Sequence, residues 1–64
     1  MTKRQAEKFF RALCMPMIQN HYEKDWIKDT PARREAWNVF TDSLCKDGEI
    51  TQKQYNTWGY PSWL

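Results

Sequence analysis

Thr30-Pro31-Ala32-Arg33-Arg34-Glu35-Ala36-Trp37-Asn38-Val39-Phe40-Thr41-Asp42-Ser43-Leu44 lies in the middle of a 64-residue chain, and its reading decides the fold. Thr30 carries a side-chain oxygen that can accept from an early backbone N–H. Pro31, with a fixed φ and no N–H, suits the first helical position, where no donor is needed. Arg33, Ala36, Trp37, Phe40 and Leu44 then recur at intervals of three and four, which puts them on one side of a helix. Arg33 can lay its stem along that stripe and keep its head in water. The spacing predicts a helix over 31–46. Lys46-Asp47-Gly48 ends it, because Gly48 can take the left-handed conformation past the cap without a steric penalty.

Moving toward the C-terminus, Thr51 and Gln54 form a capping-box pattern, with Ile50 and Tyr55 spaced as a hydrophobic staple. A short helix over 52–58 follows, and Gly59 stops it. Tyr60-Pro61-Ser62-Trp63-Leu64 is a non-helical aromatic tail. Toward the N-terminus, Thr2 and Gln5 form a second capping box. Ala6, Phe9, Phe10, Leu13 and Met17 continue at helical spacing, with Arg4, Glu7, Lys8 and Arg11 on the opposite face. Pro16 removes one backbone hydrogen bond and clashes with the carbonyl four residues back. Met15 is a poor N-cap, so a kink inside one helix over 3–24 is expected rather than a restart. Residues 25–30 make the first connection. No segment alternates as a strand does.

The expectation is therefore an all-α chain forming one domain over 1–64. It is a small three-helix fold with a Pro-kinked first helix and a short third helix followed by the aromatic tail. The expected core is Phe10, Leu13, Met17, Trp37, Phe40, Leu44, Ile50, Tyr55 and Trp58. A core at this length is thin. The ten aromatic side chains offset this, because each buries a large area.

Composition narrows the function. The net charge is +2, with 10 Lys plus Arg against 8 Asp plus Glu, too small a surplus to argue for nucleic acid by itself. The bias is local: residues 1–24 carry five basic and two acidic side chains, residues 25–64 five basic and six acidic. No apolar run approaches the roughly 18 residues of a membrane span. Residues 1–12 are polar and charged, unlike a signal peptide, so a reduced cytoplasmic setting is expected. Cys14 and Cys45 have a midpoint near the Asp29-Thr30-Pro31 turn, which makes a disulfide conceivable. Both, however, sit at the flanks of their apolar stripes.

Catalytic and metal chemistry find little to stand on. Lys46-Asp47-Gly48-Glu49-Ile50 has the glycine and isoleucine of an EF-hand loop centre. Ser43, Cys45 and Gln54 then fall where calcium needs carboxylate or amide oxygens and a bidentate Glu. The stretch reads as an interhelical turn. Cys14, His21 and Cys45 lack the close ligand pairs and the fourth ligand of structural zinc. A Cys–His nucleophile needs an orienting third group and an oxyanion site. Phosphate loops need more than Gly48 and Gly59. Neither an enzyme, a cofactor nor a metal is expected.

Binding remains. The stripe Arg4, Lys8 and Arg11 suits RNA, an acidic protein or an anionic membrane surface. The membrane version needs a free apolar face that a small core consumes, so no membrane partner is expected. In the tail, Tyr60 and Trp63 can serve a partner, close the core, or divide the two roles, with Trp63 buried and Tyr60 on the rim. Trp26 and Ile27 in the first connection pose the same choice. A DNA reading uses the helix–turn–helix between Ala36 and Trp58, with Gln52, Lys53 and Asn56 facing bases. Asp42, Asp47 and Glu49 nearby oppose it. A homo-oligomer with the tail buried is a third class.

Asp47-Gly48-Glu49-Ile50-Thr51-Gln52-Lys53-Gln54-Tyr55-Asn56-Thr57-Trp58, followed by Pro61, resembles the ending of small proteins of tailed bacteriophages and prophages. The likeness covers roughly 44–63 and carries no catalytic or binding residue across. It implies a small accessory factor that binds a host protein and inhibits or redirects it, in the bacterial cytoplasm. The expected contact residues, read from the residues themselves, are Arg4, Lys8, Arg11, Trp26, Tyr60 and Trp63.

Overall fold

Four helices account for 66% of the residues and no strand is present, so the chain is all-α. A computed structural model describes all 64 residues. In chain order the helices are α1 (Lys3–Leu13), α2 (Met15–Tyr22), α3 (Thr30–Lys46) and α4 (Gln52–Thr57). α1 packs on α2 and α3, α2 on α3, and α3 on α4.

The expected helix starts are present at both capping boxes. Gln5 donates its backbone N–H to Thr2 Oγ1 at 3.2 Å, and Thr2 N–H donates to Gln5 Oε1 at 2.9 Å. Thr51 and Gln54 repeat this at 3.1 and 2.8 Å. α3 begins one residue earlier than expected. Asp29, not Thr30, caps it by accepting from Ala32 N–H at 3.1 Å, and Pro31 stays within the first turn. A carboxylate also suits the positive end of the helix dipole. Gly48 ends α3 in the left-handed region, at φ 78.

The single kinked helix over 3–24 is corrected to two helices that share Cys14 as a cap. Cys14 N–H still donates to Phe10 O at 2.8 Å, and Ile18 N–H to Cys14 O at 3.0 Å. Pro16 has no N–H for Ala12 O, and it sits in the first turn of α2, where a helix leaves its donors unused. The chain therefore treats Pro16 as a start, even without a side-chain cap.

That break decides which side of the N-terminal half is buried. Two stripes at intervals of four compete: Ala6–Phe10–Cys14–Ile18 and Phe9–Leu13–Met17. The fold buries the first, with Ala6, Phe10 and Ile18 essentially inaccessible and Cys14 half-buried. The second stays outside, so the expected core places of Leu13 (68% exposed) and Met17 (55%) are corrected. Phe10 is the hub. Its ring meets Trp37 edge-on at 5.3 Å, Phe40 at 5.7 Å and Trp63 at 6.1 Å. Such pairs add about 0.5–1.5 kcal/mol each beyond area burial. Phe40, Leu44 and Trp58 pack around the cluster half-buried, while Ile50 is buried near the α3–α4 turn.

The tail folds back. Leu64 and Pro61 are buried, Trp63 is half-buried against Phe10, and Tyr60 stays on the rim. The tail thus helps to close the core through Pro61, Trp63 and Leu64 and leaves Tyr60 exposed at its edge. The N-terminus is tied down as well. The Met1 ammonium donates to Glu49 O at 3.1 Å, and Gln54 Nε2 donates to Met1 O at 3.0 Å.

Candidate functional site

The basic stripe and the tail meet. Arg4, Lys8 and Arg11, all exposed on α1, line a shallow depression of about 410 Å³ together with Glu7 and Trp63. Helical spacing explains the three cations: positions 4, 8 and 11 fall on one face. The tail explains the indole, because the buried Leu64 and Pro61 anchor the segment that carries Trp63. The Arg11 guanidinium lies over the Trp63 ring, 4.6 Å from its centroid. The same indole lies 6.1 Å from the Phe10 ring, so Trp63 touches both the core and the basic face. A guanidinium over an indole face contributes about 0.5–1 kcal/mol at an exposed site.

Arg4, Lys8 and Arg11 form no ion pair. The two pairs in the molecule are Arg33–Glu23 and Lys46–Asp42. Even Glu7, within the same depression, does not reach its neighbours. The stripe is thus a local positive field with one acid inside it.

The other expected contact residues lie elsewhere. Tyr60 lines a different depression with Trp37, Asn38 and Trp58. Its hydroxyl accepts from Asn38 Nδ2 at 3.2 Å, and Arg34 lies over its ring at 5.2 Å. Trp26 is 95% exposed in the 23–29 connection, beside Lys24 and Lys28. Its φ of 67 is the one positive value outside glycine. The six residues therefore occupy three places, with Arg4, Lys8, Arg11 and Trp63 together.

The connection bearing Trp26 is tied by several hydrogen bonds. Buried Glu23 accepts from Arg33 Nε at 2.6 Å and Nη2 at 2.7 Å, and from Asp29 N–H at 2.9 Å. The hydrogen bond and charge of Arg33 hold the Glu23 carboxyl well below its usual range, at about 2. This corrects the expectation that Arg33 keeps its head in water. Asp25 Oδ1 accepts from Ile27 N–H at 3.2 Å, and Trp26 N–H donates to Glu23 O at 3.0 Å.

The residues of the DNA reading are exposed on α4, a helix of six residues whose one cation is Lys53. Gln52 Nε2 donates to Asn56 Oδ1 at 3.1 Å, and Gln52 Oε1 accepts from Cys45 Sγ at 3.6 Å. Both ends of the Gln52 amide are engaged within the molecule. No three His, Cys, Asp or Glu side chains gather as a metal site. Both cysteines are free thiols, and burial pushes the Cys14 thiol up. No helix is long and apolar enough to cross a membrane.

A feature absent from the expected site is an apolar groove of about 460 Å³ between α2 and α3. Met17, Ile18, Tyr22, Ala36, Val39 and Phe40 form most of its wall. Its signal was present in the sequence as Ala32, Ala36, Val39 and Ser43, a second face on α3 beside the Trp37 stripe. Comparison with family models, curated proteins and solved structures finds no match for this chain.

Proposed function

We propose that this protein works by contact, without catalysis, and that its basic face docks on an acidic surface of another protein. The supporting observation is the set Arg4, Lys8 and Arg11, unpaired on one face of α1, with Trp63 held beside them under Arg11. Rim charges raise the rate of encounter, and an immobilised indole supplies contact area at little entropic cost. The resemblance of residues 44–63 to small tailed-phage proteins favours, within this proposal, a bacterial host protein as the partner, inhibited or redirected in the cytoplasm. Trp26 and Tyr60 supply further anchors where the partner is wide enough to reach them.

The test is affinity capture from nuclease-treated bacterial lysate, then titration of the purified captured protein. The expected result is one partner at near-stoichiometric yield, with affinity that weakens as salt rises. The combined variant Arg4→Glu, Lys8→Glu and Arg11→Glu, checked for unchanged helicity, is expected to bind at least about tenfold more weakly, or about 1.4 kcal/mol. Unchanged binding by that variant overturns the reading. Capture abolished by nuclease, or a duplex shifted in a gel through Gln52, Lys53 and Asn56, replaces it with nucleic-acid recognition.

A further inference from the structure

We propose that the depression between α3, α4 and the start of the returning tail is a groove for a proline-rich, extended segment of another protein. The inference goes beyond the docking of the basic face. It concerns a different depression and, apart from Tyr60, different residues.

The groove has a volume of about 360 Å³, and none of its lining side chains is charged. Trp37 and Asn38 come from α3, Tyr55 and Asn56 from α4, and Trp58 and Tyr60 from the residues that follow. Trp37 supplies the first observation. It is 2% exposed, and its indole N–H has no acceptor within the molecule. No polar side-chain atom of the fold is both fully covered and unpaired. The small part of Trp37 that reaches solvent therefore includes that N–H, and it opens into the groove that the ring lines. Whatever fills the groove must bring an acceptor, because covering this donor without one costs the full desolvation of the group.

The hydrogen bonds around Trp37 decide what kind of ligand fits. Thr41 donates its hydroxyl hydrogen to the carbonyls of Trp37 and Asn38, at 3.0 and 3.2 Å. Asn38 Nδ2 donates to the Tyr60 hydroxyl oxygen at 3.2 Å, which leaves the Tyr60 O–H free to donate. Asn56 Oδ1 accepts from Gln52 Nε2 at 3.1 Å, which leaves the Asn56 amide hydrogens free. The Trp58 indole can only donate. The groups left over are thus chiefly donors, set among aromatic rings. A phosphate needs positive charge that the lining lacks. A sugar brings a hydrogen with each hydroxyl oxygen, and an ordinary peptide brings an N–H with each carbonyl. Both need acceptors of which the groove is short. Proline brings a carbonyl and no N–H. In the polyproline II conformation the carbonyls have no partner within the segment, and the pyrrolidine rings dock on aromatic walls. The Tyr60 wall is already set, since Asn38 holds its hydroxyl and Arg34 lies over its ring at 5.2 Å. Little side-chain freedom is then lost on binding.

Titration of the ¹⁵N-labelled full chain with a proline decamer tests this, with the four indole N–H signals as the readout. The signals of Trp37 and Trp58 are expected to move together and saturate, while those of Trp26 and Trp63, which lie elsewhere, stay still. Tyr60→Ala is expected to raise the dissociation constant at least about tenfold with far-UV helicity unchanged. Should helicity fall, Tyr60→Phe, which keeps the ring and removes the donor, is read in its place, with a rise of about fivefold. Arg4→Glu with Lys8→Glu and Arg11→Glu is expected to leave the decamer constant unchanged, so this groove and the basic face fail separately. Unmoved Trp37 and Trp58 signals at millimolar decamer overturn the proposal. So does an equal response to a Gly-Ser peptide of the same length. Cellohexaose that moves both signals where the decamer does not overturns it too, and assigns the groove to a carbohydrate.

Discussion

Glu23 is the residue whose chemistry most exceeds its appearance in the sequence. It ends α2, yet its carboxylate gathers Arg33 from the first turns of α3 and the Asp29 N–H between them. Its carboxyl titrates at about 2 in the fold, and near 4.3 in an unfolded chain. The unfolded state therefore takes up the proton first. The stabilisation is complete above the unfolded value and is lost as pH falls toward 2. Glu23→Gln is expected to lower the melting temperature by several degrees at pH 7, with the gap closing between about pH 4 and 2. Thermal melts of both proteins across that range check it, and a gap of constant size would rule out the ion pair as the cause. Trp26 offers a contrasting case. A left-handed tryptophan costs about 1–2 kcal/mol, and its indole, 95% exposed, returns little of this to the fold. Trp26→Gly is expected to leave stability within about 1 kcal/mol, since glycine removes the strain but loosens the unfolded chain. Urea melts measure it. Neither residue announces its role in the sequence, because the partner of Glu23 lies ten positions away and positive φ has no marker in a tryptophan.

At the scale of elements, local chemistry was the legible part. Thr2–Gln5 and Thr51–Gln54 each specify a helix start within four residues, and Gly48 specifies a stop. Thr51→Ala is expected to cost about 1 kcal/mol, the usual worth of an N-cap, and α4 has only six residues with which to absorb it. The two glycines should respond in opposite directions. Gly48 has a positive φ and open space around it, so Gly48→Ala is expected to destabilise by about 1 kcal/mol through backbone strain alone. Gly59, equally open but free of positive φ, is expected to gain about 0.4–1 kcal/mol as alanine. Denaturant midpoints at equal slope decide both. What periodicity could not settle was the choice between Ala6–Phe10–Cys14–Ile18 and Phe9–Leu13–Met17. Both stripes have a spacing of four. The choice rests on how α2 restarts at Met15, a tertiary outcome in which Pro16 has two permitted roles. The basic stripe Arg4–Lys8–Arg11 was legible because it needs helical spacing alone. Its union with Trp63 depends on the tail's return path, which local sequence does not encode.

At the scale of the whole molecule, the fold is one aromatic hub on α1, met by α3 and by the returning C-terminal tail. Phe10 touches Trp37, Phe40 and Trp63, so one side chain joins α1, α3 and the C-terminus. A chain of this size is held by about 3–10 kcal/mol in total. Replacing a buried phenylalanine by alanine removes about 3–5 kcal/mol. Phe10→Ala is therefore expected to leave the protein largely unfolded at low concentration, read as loss of far-UV helicity and of a cooperative urea transition.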